Sequence, residues 1–390
     1  MKSIIDRVEL FPVRLPMIRG FSFASGTAGE KGDAAPHVFV KVTDSDGVAG
    51  WGEARPVPGW SYETPETVVS TVADYLAPIV LGVSPFDRFG IEAAMGRAIG
   101  RAPSAGQPIA KSALGCAVSD LCARRVGLPL RVFLGGSPDP AALELSYTLT
   151  PHDPAEIRDE MQEAIAGGFL HFNFKAAVAP RTDRAVAETI RKEIPAGGFL
   201  WADANQGFSL DGARSAAAVF TTIGVDLLEQ PLPADQLHLM RSLRSSTALP
   251  LAVDEASVGA PDFFAYAREN LVDYLVIKLT RSGGVLPTLD QISVARAAGL
   301  RMVVSGLTDG LVTKLTAGHV AAAAGVTGPL ALNGSQFVDE SEIFPQKSAV
   351  EGMGRLTLGE RPGIGIEPDE DALRERASAS YKEIHSASHP

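Results

Sequence analysis

The chain is poor in cysteine: Cys116 and Cys122 are its only two among 390 residues. They stand six apart in a helix-like segment, a spacing that suits neither a disulfide nor a zinc site. Both read as packing residues of a reducing compartment. There is no dense lysine or arginine run and the formal net charge is −11, which argues against nucleic acid or an anionic membrane as partner. No apolar run approaches the roughly 20 residues of a membrane helix. The N-terminus, MKSIIDRVELFPVRL, carries charges through its apolar stretch, unlike a signal peptide. A cytoplasmic location is the expectation. His37, His152, His171, His238 and His319 show no ligand spacing, and neither a phosphate-cradling glycine loop nor a nucleophile elbow occurs.

What is present suits a soluble enzyme. Hydrophobic residues make up 45% and charged residues 21%, and the length calls for two domains or one barrel with an added part. Residues 1–55 alternate as strands, with DSDG as a hairpin turn. Between the first two strands, RGFSFASGTAGEKGDAAP is too rich in Gly, Ser and Ala to pack and is expected to be mobile. Residues 65–125 read as helices, opened by Thr64 before Pro65 and closed by Gly127. Residues 1–130 therefore form an α+β domain. From Leu145 apolar strand-like runs begin near 145, 171, 199, 226, 250, 274, 301 and 328, with helix-like stretches between them. Eight such units predict a closed parallel βα barrel over 131–335. Residues 336–390 are long enough to return to the first domain, and the end, ASASYKEIHSASHP, is expected to fray.

Five of these runs end on a charge: Lys175, Asp203, Glu229, Asp254 and Lys278. At neighbouring strand ends all five gather at the C-terminal mouth of the barrel, where barrel chemistry occurs. One carboxylate at a strand end is more often a helix cap, but three on consecutive strands repel unless a divalent cation neutralises them. Oxygen-only ligands suit Mg²⁺. Asn205 and Glu255 either orient these groups by hydrogen bonds or cap loops. A lysine at a strand end usually reaches for solvent. Here burial and a nearby cation would lower its pKa, as a general base requires. Removal of a proton α to a carboxylate then becomes feasible, because Mg²⁺ stabilises the enediolate.

The pieces GWGEA, ALGCAVSDLCARRVGLPL followed by LGG, WADANQGF, LLEQPLP, VDEAS and KLTRSGG, with Gly283 and Gly284, are jointly specific. On them the chain resembles the enolase superfamily, and within it the muconate lactonizing enzyme subgroup. The resemblance implies an α/β fold: a (β/α)-barrel of the enolase type with an N-terminal α+β capping domain. It implies Asp203, Glu229 and Asp254 as Mg²⁺ ligands, Lys175 and Lys278 as bases on opposite faces of a small-molecule carboxylate substrate, and a homo-oligomer. Two loops of the first domain should cover the mouth, one with Phe21 and Phe23, the other with Trp60 and Tyr62. Their aromatics either meet substrate or merely pack between domains.

The departures concern substrate binding. The subgroup usually has Lys-x-Lys on the second barrel strand, and this chain has Asn173-Phe174-Lys175. Asp309 stands where relatives carry glutamate, and Asn333 where an acid is usual, which counts against a dipeptide epimerase. Lys314 reads as a surface helix residue, with a carboxylate partner as the alternative. Two opposed lysines favour a racemase or epimerase; a cycloisomerase or dehydratase fits the same site. A Schiff-base aldolase and a non-catalytic barrel rank below these.

Overall fold

The computed structural model describes residues 3–386, apart from 25, 102–104, 327 and 378. In the first domain, strands Ile5–Pro16, Ala34–Asp44 and Ala49–Ala54 form an antiparallel meander. One face, with Val8, Leu10, Val38, Val40 and Val42, packs on helix Pro108–Arg125. A Cβ at Gly52 would strike the carbonyl oxygen of Ala113, so the glycines of GWGEA let strand and helix backbones touch.

The barrel strands are Ser146–Leu149, His171–Lys175, Leu200–Asp203, Leu227–Glu229, Leu251–Val253, Tyr274–Lys278, Arg301–Ser305 and Leu330–Ala331. They pair in chain order as one parallel sheet, and a bridge between Leu145 and Leu330 brings the ends together. Alternation decides which side chains enter the barrel. Phe172 and Phe174 join the large core that includes the surrounding helices. Trp201, Leu227, Ala252, Tyr274, Val276, Val303 and Ala331 make a separate cluster that fills the barrel. By the same period of two, Lys175, Asp203, Glu229 and Lys278 lie on the inner face above that plug.

Three expectations are corrected. The segment read as mobile contains a hairpin, Phe21–Phe23 paired with Gly26–Gly29. Its two aromatic rings are buried against Trp60, and Phe21 also meets Phe337 edge-on; ring burial outweighs the small polar residues around it. The tail does not wholly fray: Lys382–His385 pairs antiparallel with Ile5–Pro16 at the sheet edge, while 387–390 lie outside the described residues. Lys314 is not on the surface but has the carboxylate partner that was the alternative reading. It is 2% exposed and bonds Glu351 at 2.6 Å and Ser335 at 3.2 Å. Among the described residues, no helix is long and apolar enough to cross a membrane.

Candidate active site

Lys175, Asp203 and Glu229 stand level on adjacent strands, since Lys175 pairs with Asp203 and Asp203 with Glu229. Asp254 follows directly on the fifth strand, and Lys278 ends the sixth. All five are buried. Lys175 Nζ donates to Asp203 Oδ2 at 2.6 Å, and Lys278 Nζ donates to Asp254 Oδ2 at 2.6 Å. The lysines are on the second and sixth of eight strands, so they face each other across the barrel with the carboxylates between them on the strands that separate them.

The loops after these strands fix the carboxylates. Asn205 N–H donates to Asp203 Oδ1 at 3.0 Å, and its side-chain amide donates to Glu255 Oε1 at 3.0 Å. Asn205, Gln206 and Gln230 all have positive φ, at 41°, 67° and 35°. Such conformations cost energy in non-glycine residues and are held where tight loops serve a site. Gln230 accepts from the amides of Asp254 and Ala256 at 2.9 and 3.1 Å, which ties the fourth strand's loop to the fifth strand's acid. Arg281, passed over in the sequence, is buried and pairs through Nη1 with Asp254 Oδ1. The signal was available: Arg281 lies one helical turn beyond Lys278, in the short helix Leu279–Ser282.

The electrostatics centre on Glu229. Both its carboxylate oxygens are buried without a hydrogen-bond partner. Burial, and then the charges of Asp203 and Asp254, push its pKa well above the ordinary value. Asp254 is shifted the other way: burial opposes its charge, but Arg281 and Lys278 outweigh that and hold it below the usual carboxylate range. Lys278 does not show the lowering suggested by the sequence. Burial disfavours its ammonium, yet the bonded Asp254 raises its pKa above the ordinary value.

Among the described residues, no three acidic, histidine or cysteine side chains stand as a ready-made metal cluster, and each lysine is bonded to one aspartate. The donor set nevertheless fits a hard divalent cation. It is all oxygen, and the unpartnered Glu229 lies level with Asp203 and next to the Asp254 strand, lacking the positive partner that the two aspartates have.

Trp60 roofs this arrangement. Its ring lies 4.8 Å from Lys278 Nζ and 5.7 Å from Lys175 Nζ, and the Phe21 ring lies 5.0 Å from Lys175 Nζ. Both ammonium groups are therefore within cation–π range of one indole. Tyr62, in the same loop, is 57% exposed with φ at 56°. Asn173 is turned to the first strand, donating to Ser146 Oγ at 3.0 Å and to the Tyr147 carbonyl at 3.3 Å. Asn333 donates to Thr148 Oγ1 at 2.7 Å, and its Oδ1 is buried without a partner. Asp309 is not brought to the carboxylates. It accepts from Leu307 N–H at 2.8 Å and belongs to a buried group with His37, Glu53 and Arg55.

Comparison with known proteins covers both domains. A family model described as "Enolase C-terminal domain-like" matches residues 156–372, and one described as "Mandelate racemase / muconate lactonizing enzyme, N-terminal domain" matches residues 8–135. The chain is 26% identical over 380 residues to the N-succinyl-L-Arg/Lys racemase of Bacillus cereus, covering 95% of this chain and 97% of that protein. It is 28% identical over 379 residues to muconate cycloisomerase 1 of Rhodococcus opacus, covering 95% and 98%. The crystal structure of N-succinyl Arg/Lys racemase from Bacillus cereus superposes with a TM-score of 0.89 at 24% identity, covering 99% of this chain and 100% of that one; at that identity it speaks for the fold.

Proposed function

Because the chain belongs to the mandelate racemase / muconate lactonizing enzyme family of the enolase superfamily, whose members are generally Mg²⁺-dependent, we propose that it is a Mg²⁺-dependent isomerase. In this reading it abstracts the α-proton of a small carboxylate substrate and returns a proton to the opposite face, as a racemase or epimerase. The observation that carries the reading is the pair of buried lysines on the second and sixth strands, each bound to a different aspartate.

Asp203, Glu229 and Asp254 would hold the cation. When bound, Mg²⁺ would neutralise the charge that develops on the substrate carboxylate as the α-proton leaves. The remaining work falls to the chain itself. One lysine, freed from its aspartate and in its neutral amine form, takes the proton at its Nζ lone pair. The other, an ammonium, delivers a proton from across the barrel. Arg281 and Asn205 keep Asp254 and Asp203 oriented, and Trp60 with Phe21 excludes water from the two amines. By analogy with the Bacillus cereus relative, N-succinylated amino acids are the first substrates to try.

Cycloisomerisation is the second reading, favoured by the similarity to muconate cycloisomerase 1; there one lysine moves the proton and the other acts by charge. The test incubates the protein and Mg²⁺ in D₂O with N-succinyl amino acids, N-acyl amino acids, dipeptides and cis,cis-muconate. The proposal expects α-deuterium in one substrate class, with loss of optical activity and dependence on added Mg²⁺. Lactone formation without α-exchange would favour the second reading, and no reaction with any of the four would count against both.

A further inference from the structure

The contact between the first domain and the loop after the seventh barrel strand buries titratable groups that the proposed reaction does not use. Glu53, on strand Ala49–Ala54, and Glu340, beyond the barrel, reach the same helix start from distant parts of the chain. Glu53 Oε1 accepts from Gly310 N–H at 2.8 Å and Oε2 from Thr313 N–H at 3.1 Å, while Glu340 Oε1 accepts from Leu311 N–H at 3.1 Å. A Cβ at Gly310 would collide with Oε1 of both carboxylates. Glycine at this position thus lets two acids from separate segments close on one point.

Their partners are unequal. His37 Nδ1 lies 2.7 Å from Glu53 Oε1. Burial, and then Arg55, lower the His37 pKa to about 3, so the ring is neutral, and toward an ionised Glu53 it is the tautomer with Nδ1–H that donates. Glu53 therefore has three donors. Glu340 has one, and its Oε2 is buried without a partner. The other charged groups facing the pair are Arg55, which bonds the Leu307 carbonyl at 3.0 Å, Asp309, and Lys347 acting on Glu340. Two carboxylates this close cannot both ionise at little cost.

We infer that the Glu53–Glu340 pair carries a single proton, held on Glu340, and that keeping Glu340 neutral lets the first domain and the post-barrel segment close on the seventh barrel loop as a clamp. The clamp reaches the roof of the mouth. Asp339 N–H donates to the Pro16 carbonyl at 2.9 Å, Met17 bridges Val338, and Ile18 N–H donates to the Phe337 carbonyl at 2.8 Å, all at the base of the hairpin that carries Phe21.

Burial, and then Glu53, raise the Glu340 pKa to about 7, and burial raises that of Glu53 to about 7 against its amide donors. A raised carboxyl pKa contributes stability that is complete below the unfolded value and is lost as pH rises through the folded one. The clamp is therefore closed in mild acid and loosens above neutrality.

The experiment compares wild type with Glu340→Gln by calorimetry from about pH 5.5 to about pH 8.5, with hydrogen exchange of residues 307–314 at each pH. The wild-type Tm should fall over this range, and residues 307–314 should exchange faster than the intrinsic base-catalysed rise. Glu340→Gln, which cannot titrate, should reduce the fall by roughly 2–4 °C and abolish the excess exchange. Equal slopes in the two proteins would overturn the inference even if the variant is less stable throughout. If Glu340→Gln does not fold, Glu340→Leu, which likewise cannot titrate, takes its place with the same expected slope and the same contrary result.

Discussion

Lys278 and Arg281 grip Asp254 from its two oxygens, Nζ at 2.6 Å from Oδ2 and the guanidinium on Oδ1. Glu229, two strands from Lys278, has no such partner. The site is thus uneven: both aspartates are matched by cations of the chain, and the glutamate between them is not.

Glu229→Gln tests this imbalance. It removes the unpartnered charge and keeps the shape, so the metal-free variant should melt no lower than wild type. Saturating Mg²⁺ should stabilise the wild type, by about 2.7 kcal/mol at a hundred times Kd, and leave Glu229→Gln unmoved. The check is a thermal melt of both proteins with EDTA and with Mg²⁺. An equal Mg²⁺ shift in the two would remove Glu229 from the ligand set.

Asn173 gives a second prediction. Its amide is spent on Ser146 and the Tyr147 carbonyl, so Asn173→Lys loses both bonds and places an ammonium on the inner face two residues from Lys175. The cost should be about 1–3 kcal/mol, the usual effect of leaving buried polar groups unpaired. The preference among carboxylate substrates should change as well. Denaturant titration reads the first effect and relative kcat/KM across a panel of acids reads the second; unchanged values for both would make Asn173 a bystander.

Stability should also depend on Glu63, which is buried and accepts from Ile109 and Ala110 N–H at 2.8 and 3.0 Å. Burial raises its pKa to about 7. The folded state therefore favours the protonated acid, and the contribution present in acid is lost as pH rises through about 7. Denaturation midpoints should fall between about pH 5 and about pH 8, and fall less in Glu63→Gln. A midpoint that rises over this range would reverse the assigned sign.

Much of the fold was written in short-range patterns. Eight apolar runs at regular spacing each became a barrel strand, because a strand buried on both faces needs a continuous apolar run and a period of two sorts its side chains. That same period put Lys175, Asp203, Glu229 and Lys278 at one mouth. What escaped depended on contacts between distant segments. The sequence left Lys314 open between the surface and a carboxylate partner, and the partner, Glu351, together with Ser335, comes from beyond the barrel. Asp309 looked like a substrate contact because of its strand, whereas Glu53, Arg55 and His37 from the first domain draw it into their own group. The segment around Phe21 was judged by its many small residues, though two aromatic rings decide its packing. Arg281 enters the site from the helical turn beyond the sixth strand, where the period of two that marks inward side chains no longer applies.

Proton transfer by two opposed lysines can be followed at the α-hydrogen of each enantiomer of a responsive substrate in D₂O by NMR, with wild type, Lys175→Ala and Lys278→Ala. Wild type should exchange both enantiomers. Each variant should lose racemisation and lose exchange of one enantiomer by about 10²–10⁴-fold, with the other enantiomer affected in the other variant. Loss of the same enantiomer in both variants, or undiminished exchange in either, would contradict the assignment of one base to each face.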